Sequence, residues 1–259
     1  MVSSHTKPHK ARKRFGQNFL IDERIIERII AAIAAKKEDA VLEIGPGQGA
    51  LTLPLLEQLN QLHVIEIDRD LIARLQDMNN DKLIIHQSDA LKFDLTTLPE
   101  NLRVVGNLPY NISSPILFYL LDNRARVKDM TFMLQKEVVE RMVAKHGSKT
   151  YGRLSVMMQA FFELELLFIV PPESFDPPPK VESAIVYLKP LQQSFISNIT
   201  TFEMIVKKAF SQRRKTLRNC LKSLINQTQT SIDLTLRAEM LSVDDFIQLT
   251  QDYEKQNSS

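Results

Sequence analysis

One cysteine, Cys220, stands in a chain of 259 residues. A lone thiol excludes an internal disulfide framework and fits a reducing compartment. The five histidines, His5, His9, His63, His86 and His146, are scattered. His5 and His9 have helical ligand spacing but lie in a polar tail, so they read as solvated and no metal site is indicated. No apolar run approaches the length of a membrane span. The one stretch that could pass for a secretion signal, IIAAIAA at 29–35, follows Asp22, Glu23, Glu27 and a polar GQN loop, which is wrong for a signal. It reads instead as the end of an amphipathic helix. Ile25, Ile26, Ile29, Ile30 and Ile33 form its apolar stripe, and Asp22 is its expected N-cap. Acids are missing from two further stretches. The tail carries Lys7, Lys10, Arg12, Lys13 and Arg14 before any acid, and Lys207, Lys208, Arg213, Arg214, Lys215, Arg218 and Lys222 follow one another without one. On a chain of net charge only +2, two such blocks point to a polyanion contacted at particular places.

What is present is the composition of a globular protein, 44% hydrophobic and 25% charged. After the Ile-rich helix, strand and helix patterns alternate. AVLEIG, LHVIEID, KLIIHQ, LRVVGN and DMTFMLQ read as strands, and LTLPLLEQL, RDLIARLQDM, PILFYLLDN and KEVVERMVAK as helices. This rhythm predicts an α/β fold with a parallel sheet covered on both faces. FELELLFIV and AIVYLKP add two strands, and the five prolines of PPESFDPPPKVES between them predict a stiff, extended loop without regular structure. Beyond Pro190 the strand signal stops. The expected organisation is a basic tail at 1–11, an α/β domain at 12–190 and a small helical domain at 191–259. Within the last, Lys207, Arg214, Arg218 and Lys222 would share one face of a helix, with Ala209, Phe210, Leu217 and Leu221 packing another.

Glycine is scarce, seven in all, yet Gly45, Gly47 and Gly49 fall within five residues, after a strand and at the opening of a helix. Glycines there permit a tight turn and close approach of a ligand to the backbone. The spacing G-x-G-x-G is not the dinucleotide G-x-G-x-x-G, and Pro46 lacks an N–H that a pyrophosphate would need. A ligand with an adenosine and an amino-acid arm suits the looser loop. The next strand ends at Glu66 and Asp68, where an acid accepts from ribose hydroxyls, and the third at Asp89, which can accept from an adenine amino group. The fourth ends in Asn107, Leu108, Pro109 and Tyr110, an amide, a stiff turn and an aromatic face in one loop. All four strand ends lie on the carboxyl edge, where open α/β sheets bind ligands.

EIGPGQG followed by NLPY resembles the S-adenosylmethionine-dependent methyltransferases that act on amino groups. RKRFGQNFL at 12–20, NLPYNISSPI at 107–116, FDPPPKVES at 175–183 and FSQRRKTLRN at 210–219 resemble the ribosomal RNA adenine dimethyltransferases. The last two stretches resemble the bacterial small-subunit (16S) enzymes more than the large-subunit relatives that give macrolide resistance. The resemblance implies a Rossmann-like methyltransferase sheet, S-adenosylmethionine as methyl donor and no metal. It implies transfer to the exocyclic amines of two adjacent adenines near the 3′ end of 16S rRNA in the small ribosomal subunit. It also implies a role in ribosome biogenesis. The lone cysteine and the lack of a membrane-length run lead us to expect a cytoplasmic enzyme with no membrane partner, and a monomer is expected because nothing in the sequence supports an obligate oligomer. By position the resemblance implies that Asn18 and Leu20 close over the cofactor, that Gly45 contacts its methionine arm with Gly47 also at the cofactor, and that Glu66 holds the ribose and Asp89 the adenine. Asn107 would lie between cofactor and target base, with Leu108 and Tyr110 beside it and Phe175 stacked on the base. Independently of the resemblance, the acid-free block is expected to follow rRNA phosphates through Lys207, Arg213, Arg214, Arg218 and Lys222.

Other readings remain open to the residues alone. A DNA adenine methyltransferase often has Asp where Asn107 stands and carries a separate sequence-reading domain, for which 191–259 is small. An RNA-binding assembly or transcription factor with lost catalysis would not need the Gly45–Gly49, Glu66, Asp89 and Asn107 set. A dehydrogenase is disfavoured by the glycine spacing.

Overall fold

The computed structural model describes residues 18–193 and 195–257. The basic tail, with Lys7 to Arg14, His5 and His9, lies outside the described residues. The elements in chain order are β1 (Phe19–Leu20), α1 (Glu23–Ile33), β2 (Val41–Ile44), α2 (Thr52–Gln58), β3 (Leu62–Glu66), α3 (Arg69–Asp77), β4 (Leu83–Gln87), β5 (Leu102–Asn107), α4 (Ser113–Asp122) and β6 (Val127–Gln135). There follow α5 (Lys136–Met142), α6 (Arg153–Gln159), β7 (Phe162–Val170), β8 (Phe175–Asp176), β9 (Ser183–Pro190), α7 (Ile199–Ala209), α8 (Leu217–Leu221) and α9 (Val243–Asn257). None of the described helices is long and apolar enough to cross a membrane.

Seven strands form one sheet in the order β4-β3-β2-β5-β6-β9-β7, and the pairs from β4 to β6 are parallel. β2, β3 and β5 are rich in Val, Ile and Leu and buried along nearly their whole length, as cover on both faces requires, whereas β4 is half-buried and β6 carries Lys128 and Asp129. The chain runs from β2 outward to β4, then returns to β5 on the other side of β2, so the strand order reverses between β2 and β5. Such a reversal opens a crevice at the carboxyl ends. Gly106 permits the close approach of these two strands, because a Cβ there would stand 2.5 Å from the Ile44 carbonyl oxygen. Below the crevice, the buried Arg103 ties α1 to the sheet. Its Nε donates to Asp129, Nη1 to Asp39 and the Ala34 carbonyl, and Nη2 to the Ile33 carbonyl. Asp22 caps α1 as expected, accepting from the Arg24 and Ile25 amides. Ile25, Ile29, Ile30 and Ile33 are buried.

The chain divides into two compact units, 1–135 with 168–185 and 136–167 with 186–259. The expected helical domain at 191–259 therefore belongs to a unit that also takes in 136–167, including α6. That helix has no readable apolar stripe, because Leu154 to Met158 are all buried. In this second unit Phe202 and Phe246 are fully buried, and Phe161 and Phe210 lie against them with ring centroids 5.9 and 5.6 Å away.

Two expectations are corrected. The proline-rich connection does contain regular structure. Pro172–Ser174 is a 3-10 turn, and Phe175–Asp176 is a strand paired antiparallel with Phe19–Leu20. Prolines occupy positions on either side of the paired residues and so remove none of their donors. The basic block is not one helix either. α7 ends at Ala209, and 210–216 is a turn before α8. The Ser211 hydroxyl and amide both donate to the Lys208 carbonyl, drawing the chain out of the helical ladder. Continuing the helix would also set Arg214 and Arg218 one turn apart, a repelling pair. Lys207, Arg213, Arg214, Arg218 and Lys222 are exposed, and Ala209, Leu217 and Leu221 are buried.

Candidate active site

A cavity of about 290 Å³ opens at the carboxyl ends of β2 to β5. Its wall includes Asn18, Leu20, Gly45, Gly47, Glu66, Asp89, Asn107, Leu108, Tyr110 and Phe175, so the residues that the resemblance assigns to the cleft are brought to one place. Asp68, the second acid of its strand end, is not on that wall. It is buried as the N-cap of α3, accepting from the Asp70 amide.

The floor is the glycine loop. Gly45, Gly47 and Gly49 have φ of 68°, 59° and 90°, a region in which a side chain is strained. A Cβ on Gly45 would meet nothing within 4 Å, so its bare backbone borders open space. A Cβ on Gly47 would just touch the Phe19 ring at 3.4 Å, so the N-terminal strand lies beside the loop. Glu66 is fixed by backbone donors. Its Oε1 accepts from the Ile67 and Asp68 amides at 2.8 and 2.9 Å, and the carboxylate also accepts from the Gly47 amide. Burial raises its pKa, and these amides oppose the rise. A carboxylate offers about four lone-pair sites. Three are engaged, so a ligand hydroxyl meets a carboxylate that is already oriented. Asp89 is aimed the same way, with Oδ1 accepting from the Leu91 amide at 3.0 Å.

The far wall is the Asn107–Tyr110 turn. The Leu108 amide donates to the Met133 carbonyl and the Ile112 amide to that of Pro109, which pins both ends of the turn. Asn107 Nδ2 donates to the Asn18 carbonyl at 3.3 Å. The Tyr110 hydroxyl shares a 2.8 Å hydrogen bond with Ser183 Oγ, and burial raises its pKa, so the ring is neutral. Phe175 is only 3% exposed and hangs from β8, which β1 holds in register through Leu20↔Phe175. The arrangement offers two acids for hydroxyl or amino donors, a side-chain amide in the middle and two aromatic rings. It suits two flat, hydrogen-bonding ligands brought end to end.

Three features escaped the sequence. Glu43 is 2% exposed on the cavity wall, accepts from Thr52 Oγ1 at 2.7 Å, and burial lifts its pKa to about 7. Its strand is otherwise apolar, and the acid inside it was the available signal. Ile67, between two acids, is 53% exposed on the same wall. Ser183, which orients Tyr110, is separated from it by 73 residues and has no local signal. Among the described residues no cluster of three or more metal-ligating side chains occurs.

A family model described as "Ribosomal RNA adenine dimethylase" matches residues 8–255. The chain is 53% identical over 249 residues to "Ribosomal RNA small subunit methyltransferase A" of Herminiimonas arsenicoxydans, covering 93% of this chain and 98% of that one. It is 55% identical over 248 residues to the protein of the same name from Aromatoleum aromaticum, covering 93% and 94%. Among solved structures, a dimethyladenosine transferase from Plasmodium falciparum superposes with a TM-score of 0.80 at 29% identity, over 92% of this chain and 98% of that one. The 23S rRNA methyltransferase ErmE superposes with a TM-score of 0.73 at 24% identity, over 92% and 100%, which is a likeness of fold.

Proposed function

The chain belongs to the ribosomal RNA adenine dimethylase family, and from that premise we propose that it dimethylates the exocyclic amines of two adjacent adenines near the 3′ end of 16S rRNA. It is an S-adenosylmethionine-dependent enzyme, and the Rossmann-like sheet with its glycine loop and strand-end acids fits that cofactor. The small ribosomal subunit is the partner its relatives' names point to. We take it to work there as a cytoplasmic monomer.

The observation that carries the reading is the orientation of Asn107. A backbone carbonyl can only accept, so the atom facing the Asn18 carbonyl must be the amide nitrogen. The Asn107 oxygen is then the side chain's remaining polar atom, and Asn107 lines the cleft. An adenine amine is a poor nucleophile because its lone pair is delocalised into the ring. Accepting its hydrogens at Asn107 Oδ1 and the Leu108 carbonyl favours a pyramidal nitrogen and frees that pair. Tyr110 and Phe175 hold the base between their faces, which also attract the charge appearing on the amine. The base must leave its stack to reach them.

S-adenosylmethionine, when bound, supplies an electrophilic methyl on a sulfonium. Glu66 would receive its ribose hydroxyls, Asp89 its adenine amine, and the bare Gly45–Gly47 backbone its methionine arm. Ile67 gives the adenine an apolar surface. Alignment of amine and methyl can contribute up to about 7–11 kcal/mol by proximity. Each transfer would leave a neutral thioether on the donor, and the methylated amine gives up one proton to water, so after one transfer it keeps one N–H for one acceptor. After two it has none, so the bonds to Asn107 and Leu108 are lost and product leaves.

The test is mass analysis of unmodified small-subunit RNA incubated with the protein and S-adenosylmethionine. Two added methyls on each of two adjacent adenines are expected. Methylated DNA with untouched RNA would overturn the reading.

A further inference from the structure

Leu20 and Phe175 are opposite each other in a two-stranded sheet only two residues long on each side. One belongs to the cofactor's cover and the other to the face that takes the target base. A pairing this short has little stability of its own. It is extended by Ser174, whose carbonyl accepts from the Ile21 amide at 2.9 Å and the Asp22 amide at 3.3 Å. Ser174 itself is buried, and its hydroxyl donates to Asp22 Oδ2 at 3.0 Å. The other Asp22 oxygen caps α1 through the Arg24 and Ile25 amides. α1 in turn is anchored at its far end, where Arg103 holds the Ile33 and Ala34 carbonyls. Asp22 is therefore a fixed post with one oxygen committed to the helix and the other to the proline-rich connection.

We propose that Asp22 and Ser174 are positioning residues that make the cofactor's cover and the base-stacking face one body, so that a filled cofactor site sets Phe175 for the incoming adenine. The proposal rests on the reading of the cleft as a site for S-adenosylmethionine and adenine. Neither side chain lines the cavity, so both act through Leu20 and Phe175. Without the hydroxyl bridge the two-residue pairing frays, and order in the 18–22 segment no longer fixes the 174–176 segment.

Two substitutions cut the bridge from opposite sides. Ser174→Ala removes the donor. Asp22→Ser keeps a good N-cap for α1 but lacks the second acceptor oxygen. Each should lower the single-turnover methylation rate about three- to tenfold and change S-adenosylmethionine affinity less than threefold. The double variant should be no slower than either single one, since the two share one interaction. Hydrogen exchange gives a readout independent of activity. In the wild type S-adenosylmethionine should slow exchange in both 18–22 and 174–176, and in either variant in 18–22 alone. Multiplying rate losses in the double variant, or joint slowing of both segments in the single variants, would overturn the proposal. If S-adenosylmethionine slowed neither segment of the wild type, the assignment of the cleft would fail first and take the proposal with it.

Discussion

Asn107 Nδ2 lies 3.3 Å from the carbonyl oxygen of Asn18, so one residue of the cavity wall sets the orientation of another's amide. The Asn18 carbonyl excludes the opposite orientation of the amide. An aspartate at 107 would face that carbonyl with a carboxylate oxygen, and two acceptors repel.

Asn107→Ala removes the side-chain acceptor and leaves the Leu108 carbonyl. We expect the single-turnover rate to fall about a hundredfold, in line with removal of one pre-aimed polar group from a transition state. RNA affinity should change little. Asn107→Asp should be similarly slow. A near wild-type rate for Asn107→Ala would remove the acceptor role.

Glu66→Ala should weaken S-adenosylmethionine binding, measured by calorimetry. Hydrogen bonds to a charged group run about 1.5–3 kcal/mol, or about ten- to a hundredfold in affinity. The loss has two sources. The ligand's hydroxyl loses its acceptor, and the Gly47, Ile67 and Asp68 amides lose theirs. Normal affinity would show that the ribose lies elsewhere.

The strand ends were legible because a parallel strand announces itself by a Val, Ile and Leu run, and the first polar residues after it stand at the carboxyl edge. Glu66, Asp89 and Asn107 were found that way. The pairing of Phe19–Leu20 with Phe175–Asp176 was not, since two-residue strands carry no period and 152 residues of chain separate Asp22 from Ser174. Spacing also failed after Ala209. A basic run with helical intervals counts as one face only while the helix continues, and Ser211 ends it. Asp68 misled for the opposite reason, because an acid that begins a helix is indistinguishable from an acid that ends a ligand-binding strand until its Oδ1 is seen on the Asp70 amide.

Glu43 should make stability pH-dependent. Burial lifts its pKa from 4.5 to about 7 in the folded chain. A raised pKa contributes stability that is fully present below the unfolded value and lost as pH rises through the folded one. Glu43→Gln still accepts from Thr52 and does not ionise. The variant should therefore gain on the wild type between pH 5 and pH 8. One unit of pKa is worth about 1.4 kcal/mol, which sets a ceiling of about 3 kcal/mol. Urea denaturation at both pH values measures the difference, and an equal difference at both would show that Glu43 is ionised throughout.

Arg103 is the post on which α1 stands. Arg103→Met removes the partner of Asp129 and Asp39 and leaves the Ile33 and Ala34 carbonyls without their donor. Breaking a buried ion pair from one side costs about 3–5 kcal/mol. Lys128 still reaches Asp39 at 3.0 Å, so the lower end of that range is expected in thermal or urea unfolding. A loss under about 1 kcal/mol would show that the carboxylates find other donors.

The exposed basic residues after the catalytic fold give the last test. Lys207 is on α7, Arg213 and Arg214 on the turn, Arg218 on α8 and Lys222 just past it, and all are exposed. The turn is held in place, because Arg213 donates to the Lys149 carbonyl, which leaves less conformational entropy to lose on meeting a phosphate. Arg214 lies within the turn and Arg218 in the first half of α8. If this surface follows rRNA phosphates, Arg214→Glu with Arg218→Glu should weaken binding to the small subunit and flatten its salt dependence. Each phosphate that the protein ceases to neutralise reduces the slope of log affinity against log salt by about one. S-adenosylmethionine affinity should be unchanged, since neither residue lines the cleft. Subunit binding measured across a salt series for wild type and double variant decides it. Equal affinities with equal slopes would leave these side chains merely solvated and move the RNA path to Lys10–Arg14, the other acid-free stretch of the chain.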